Sequence, residues 1–161
     1  MGSSSSSPRY TYIATTRYSK EERASLEIGD TLYPYDSRVE VLVPDIKGVV
    51  IVKTSIQPDL LKRLFSSYHL SAVEYVTYVL DCVGCCGSCV GDVSEQVRRW
   101  VESGHCYSKI RIPRLGELGN VFAEAVHEEL SKYARKDCLL TLSLEVFGKT
   151  VCYGPVVHRR Q

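Results

Sequence analysis

The sequence predicts an α+β protein of two small units, on three observations. Residues 9–81 alternate strand-like and helix-like patterns in the order β-α-β-β-α-β. Residues 93–161 carry a second alternation, α-β-α-β-β. Between them, residues 82–92 are rich in cysteine and glycine and read as a seam where the backbone can fold back on itself. At 161 residues the chain can bury one good core or two small ones.

The elements follow in order. Met1 to Pro8 is a serine run with nothing to bury, and is expected as a disordered leader. Tyr10 to Thr16 is β-branched and aromatic, which suits a first strand. Ser19 caps a helix with Glu21 and Glu22 in its first turn, and Gly29 ends it. Strands follow over Val39–Val43 and Val49–Thr54, the second apolar on both faces and so central. Pro58 and Asp59 open a helix whose buried stripe is Leu60, Leu61, Leu64 and Phe65. A strand from Val73 to Leu80 runs into the cysteines. This order is that of a ferredoxin-like unit.

In the second half, Ser94 caps a helix carrying Val97, Trp100 and Val101 and ending at Gly104. Cys106 to Ile112 alternates as a strand, with Tyr107, Lys109 and Arg111 on one face. Asn120 caps a helix with Phe122, Val126, Leu130 and Tyr133 on one side. Leu140, Leu142, Leu144 and Val146 alternate with Thr141, Ser143 and Glu145 in a half-buried strand. Gly148-Lys149 turns the chain back through Tyr153, and Pro155 closes the ordered region.

Net charge is +1, so no global field draws the chain onto nucleic acid, and any such surface is a local patch. No apolar run approaches the 18 or so residues that span a bilayer, and the N-terminus lacks a signal-peptide pattern. The expectation is a cytoplasmic protein without a membrane partner. Asn120 is the only asparagine and Met1 the only methionine, a composition that leans towards a thermophile. Disulfides inside the cell are then permitted.

Cys82, Cys85, Cys86 and Cys89 fall within eight residues, with Cys106 further on. Zinc is one reading: Cys82 and Cys85 form one C-x2-C pair, and Cys89 with Cys106 (or His105) completes a tetrahedral set. Disulfides are the equal alternative, with a bridge from the cluster to Cys106 stapling the seam. Free buried thiols are the third. Cys82, Cys86 and Cys89 also match the C-x3-C-x2-C spacing of a radical iron–sulfur site, but that chemistry needs a large barrel. Cys138 and Cys152 read as small buried hydrophobes, with a bridge between them across the hairpin as runner-up. Neighbouring His105 and Cys106 point apart on an extended chain, which argues against an activated thiol.

Two stretches resemble a known family. Gly48-Val49-Val50-Ile51-Val52-Lys53-Thr54, with Pro58-Asp59 and the leucine-rich helix, looks like the ferredoxin-like domain that precedes THUMP domains. Lys109-Ile110-Arg111-Ile112-Pro113-Arg114, the helix from Asn120, and Leu142 to Gly148 are similar to the THUMP core. The resemblance covers residues 9–155 and rests mainly on element order. It implies a module that holds the acceptor end of tRNA for a tRNA-modification enzyme. Such modules are fused to methyltransferases, 4-thiouridine synthetases and pseudouridine synthases, or stand alone as adaptors for tRNA cytidine acetylation. The chain looks most like the stand-alone kind, since it has no Gly-rich cofactor loop and no Walker A sequence. Catalysis of its own is therefore not expected.

On that resemblance Lys109, Arg111 and Arg114 form the first phosphate-binding group and Lys132, Arg135 and Lys136 the second, with Lys149, Arg159 and Arg160 as further candidates. Tyr107 is a candidate to stack on a base. The plainer reading of the second group is cations drawn to a helix C-terminus. For the first it is a solvated strand face. The alternative function is a metal- or disulfide-stapled protein-interaction module with no RNA role.

Overall fold

The computed structural model describes residues 8–17, 19–85 and 89–160, so all of the expected leader except Pro8 lies outside the described residues. The chain divides into two units, one running up to Tyr78 and taking in the end from Val157, the other spanning Val79–Val156.

The first unit contains β1 (Tyr10–Thr16), α1 (Glu21–Leu32), β2 (Glu40–Leu42), β3 (Val49–Thr54), α2 (Pro58–Ser67) and β4 (Val73–Tyr78). That is the expected β-α-β-β-α-β order. The strands pair antiparallel in the order β2-β3-β1-β4. Tyr12 and Ala14 of β1, Val50 and Val52 of β3 and Val76 of β4 share a core with both helices. From α1 come Ala24, Ile28 and Leu32; from α2 come Leu61, Leu64 and Phe65. The Tyr12 hydroxyl, inside this core, donates to the Ile56 carbonyl at 2.7 Å, the partner a buried hydroxyl needs.

Two carboxylates clamp loops of this unit. Glu27 accepts from Ser71 N (3.0 Å), Ser71 Oγ (2.6 Å) and Ala72 N (2.9 Å). Burial pushes the Glu27 carboxyl up, but these donors outweigh it and hold the group below its ordinary 4.5. Asp36 likewise accepts from Thr54 Oγ1 (2.6 Å), Ser55 N and Arg38 N (both 3.0 Å).

The second unit contains β5 (Asp81–Gly84), α3 (Val90–Glu102), β6 (Lys109–Arg111), α4 (Gly119–Ser131), β7 (Thr141–Phe147) and most of β8 (Thr150–Arg159). Here β6 pairs parallel with β7, β7 antiparallel with β8, and β5 antiparallel with β8. Val93 and Val97 of α3, Phe122, Val126 and Leu130 of α4, and Leu142, Leu144 and Val146 of β7 form its core. The stretch expected as a seam is thus part of this unit, since 82–84 lie in a strand and Val90 opens a helix.

Several boundaries differ from expectation for physical reasons. Helix α1 runs through Gly29 because Ile28 and Leu32 extend its fully buried stripe beyond it. That burial exceeds the ~1 kcal/mol that a helical glycine costs. Helix α3 begins a turn before Ser94, which is buried within it, because the apolar period reaches back to Val90. Neither Ser19 nor Asn120 caps a helix, since α1 and α4 have no side-chain cap. Strand β8 passes through Pro155 instead of ending there. Tyr153 O accepts from Leu80 N, on the side away from β7, and Pro155 two residues on has the same orientation. The N–H that proline lacks is therefore one β7 does not require.

Candidate nucleic-acid interface

Two backbone hydrogen bonds determine how the basic residues of the second unit are distributed. Arg135 N donates to the Tyr107 carbonyl at 2.8 Å, which holds the turn after α4 against the entry to β6. Glu117 N donates to the Gly148 carbonyl at 3.0 Å, which holds the loop after β6 against the β7–β8 turn. That second approach requires Gly116: its φ is +55°, and a Cβ there would lie 2.8 Å from Gly148 O. The two ties sit at opposite ends of β7, roughly 20 Å apart at ~3.3 Å per residue. Lys109, Lys132, Arg135 and Lys136 therefore gather at one end, and Arg114 and Lys149 at the other.

At the first end Lys109 and Lys136 are exposed, and neither side chain has an ion pair among the described residues. Lys132 pairs with Glu129 at 2.9 Å, which raises its ammonium. Arg135 forks onto Asp137 at 2.8 and 3.2 Å and lowers that carboxyl. Exposed pairs of this kind are screened by water and contribute little, so both cations can exchange their partner for a phosphate. The outer face of α4 is different in character. Glu124 and Glu128 flank a shallow hollow floored by Ile110 and Ile112, a surface that repels phosphate.

Two of the expected contacts are corrected. Tyr107 is fully buried, and its hydroxyl donates to the Leu130 carbonyl. Burial raises its phenol to about 12, and its ring lies nearly parallel to Trp100 at 6.4 Å. It belongs to the core and cannot stack on a base. Arg111 is turned inward: its Nη1 donates to Ser143 Oγ at 3.1 Å and to Glu145 Oε2 at 3.0 Å. The alternation of Thr141, Ser143 and Glu145 suggests an outward polar face, yet Ser143 and Glu145 are both 0% exposed. Both faces of β7 are therefore buried, the one with Leu142 and Leu144 and the one with Ser143 and Glu145. A buried carboxylate needs a cation. Arg111 supplies it from the position level with Ser143. Arg114 is half-buried in the loop beyond.

Among the described residues the cysteines form three bridges, all within the second unit: Cys82–Cys152, Cys85–Cys89 and Cys106–Cys138. Cys82 and Cys152 are directly opposite in the β5–β8 register. Cys106 and Cys138 join the entry to β6 with the turn before β7. The expected bridge from the cluster to Cys106 is corrected, as are the reading of Cys138 and Cys152 as unpaired packing residues and the bridge between those two. Cys86 lies outside the described residues. The thiols proposed as zinc ligands are divided among separate bridges, and no group of three or more His, Cys, Asp or Glu is gathered for a metal among the described residues. Among those residues no helix is long and apolar enough to cross a membrane.

Neither a protein-family model nor a curated protein sequence matches the chain. Solved structures do. A structure from Listeria monocytogenes str. 4b F2365, named as a predicted N6-adenine-specific DNA methylase, superposes with a TM-score of 0.58 at 11% identity, over 92% of this chain and 40% of its own. One named as a possible methylase from Clostridium difficile 630 gives 0.55 at 14%, over 92% and 41%. TrmN from Thermus thermophilus gives 0.56 at 15%, over 95% and 46%. The expectation of a protein outside enzyme chemistry is corrected by these neighbours, two of which are named as methylases. The chain spans less than half of each of them, and what it shares with them is an α+β fold.

Proposed function

We propose that the chain is the RNA-holding part of a tRNA-modifying enzyme, gripping the acceptor end through the lysine-rich end of its second unit. The observation that carries this reading is the tie from Arg135 N to Tyr107 O. It brings Lys109 of β6 together with Lys132, Arg135 and Lys136 from beyond α4, residues far apart in sequence. Those side chains are exposed and weakly paired, whereas the neighbouring face of α4 is acidic. The likeness to methylase structures supports an enzyme context, and the THUMP resemblance supports tRNA as the ligand.

An A-form stem is read through its backbone and 2′-hydroxyls, because its major groove is too narrow for side chains. Phosphate contacts alone suit a module that serves many tRNAs. The test is a competition gel-shift at low salt with bulk tRNA, an acceptor-stem hairpin, and a DNA duplex of equal length. The reading predicts that tRNA and hairpin compete with each other and that the DNA competes poorly. If no RNA binds, the disulfide-stapled interaction protein is left as the function.

A further inference from the structure

The first unit contains a cavity of about 490 Å³ where the C-terminal turn of α2 meets the end of β8. Its size suits a nucleotide, within the range of ~300–1,000 Å³ usual for small-ligand sites. Lys62, Tyr68, His69, His158 and Arg159 line it, and among the described residues no carboxylate does. Lys62, His69 and Arg159 are exposed and carry no ion pair among the described residues. They come from a helix, a loop and a strand, so attraction of cations to the end of α2 does not account for the group.

Arg160, also in the wall, is held by Glu74, which additionally pairs with Arg17 at 2.6 Å. Tyr68, in the cavity wall, is half exposed. His158 packs edge-on against Phe65 at 5.7 Å and closes the floor. Cations around an open aromatic face are what an unpaired nucleotide needs, with phosphate held by charge and base by stacking.

We propose that this cavity binds one unpaired nucleotide of an RNA strand, with the base on Tyr68 and the phosphate between Lys62 and Arg159. The proposal rests on the reading of the chain as an RNA-binding protein, but places a contact on the unit to which that reading assigns none. It is tested by fluorescence anisotropy with a labelled single-stranded RNA octamer and a labelled RNA hairpin with no overhang. The proteins are the full chain, Tyr68→Ala, Lys62→Ala/Arg159→Ala, and Lys109→Ala/Lys136→Ala, each checked by circular dichroism.

Tyr68→Ala and Lys62→Ala/Arg159→Ala are expected to weaken octamer binding about tenfold and leave hairpin binding within twofold. Lys109→Ala/Lys136→Ala is expected to do the reverse. If both cavity variants bind the octamer like the full chain, the cavity proposal fails while the RNA-binding reading stands. If Tyr68→Ala is neutral and the charge variant weakens both probes equally, the cavity is a general polyanion patch and the stacking claim fails. If the full chain binds neither RNA at low salt, both readings fall.

Discussion

Arg111 Nη1 lies 3.0 Å from Glu145 Oε2, and Glu145 is wholly buried. The arginine was a candidate phosphate contact, yet it is the counter-charge that lets β7 carry a carboxylate inside the second unit. Removing one partner of such a pair leaves an uncompensated buried charge, at ~3–5 kcal/mol. Arg111→Ala should lower stability by that order in urea denaturation. The double change Arg111→Met/Glu145→Leu should recover most of the loss, because well-packed apolar pairs often replace buried ion pairs. A single variant as stable as the parent chain would refute the structural role.

Tyr107→Phe tests the other inward residue. It removes one of the donors to the buried Leu130 carbonyl, which keeps Tyr133 N at 3.2 Å, and should cost ~0.5–1.5 kcal/mol with RNA affinity unchanged. Loss of RNA affinity at unchanged stability would return Tyr107 to the surface.

Reduction should act on one unit only. Cys82–Cys152 closes a separation of 70 residues and Cys106–Cys138 one of 32, each worth about 4 kcal/mol by chain entropy. Hydrogen exchange after reduction should show β5 to β7 losing protection while β1, β3 and β4 keep theirs. Uniform loss across both units would contradict the placement of all three bridges in the second.

The first unit should be acid-sensitive through Glu27. Its folded pKa lies below the ordinary 4.5, so its contribution is complete above about pH 4.5 and is lost as pH falls through the folded value. Glu27→Gln should cost about 2 kcal/mol at pH 7 and reduce the acid sensitivity of this unit. A variant that matches the parent at pH 7 and at pH 3.5 would show that the clamp on Ser71 and Ala72 does not matter.

Local patterns carried much of the fold. Pro58-Asp59 and the leucine stripe of α2 fall where they suggest, as does β3, because period and punctuation agree there. Where burial opposed punctuation, burial prevailed: Gly29 did not stop α1, and Pro155 did not stop β8. The site was less legible. Lys109 and Lys136 are brought to one end by long-range ties that no spacing encodes, the Arg135–Tyr107 hydrogen bond and the Cys106–Cys138 bridge. The partners of Cys82 and Cys106 lie 70 and 32 residues away. The groove of Lys62, Tyr68 and Arg159 joins a helix end to the last strand of the chain, which no contiguous motif could show. Glu145 was the available clue to Arg111, since a carboxylate in a strand buried on both faces must find a cation.

If the lysine-rich end of the second unit grips RNA phosphates, the salt dependence of tRNA binding must run through those lysines. Each phosphate contact releases condensed counterions, so the logarithm of affinity falls linearly with the logarithm of salt. Lys109→Ala, Lys136→Ala and the double variant should bind every tRNA tried more weakly. The slope should become shallower by about one for each lysine removed. A slope unchanged in the double variant, or an affinity that does not respond to salt, would contradict it.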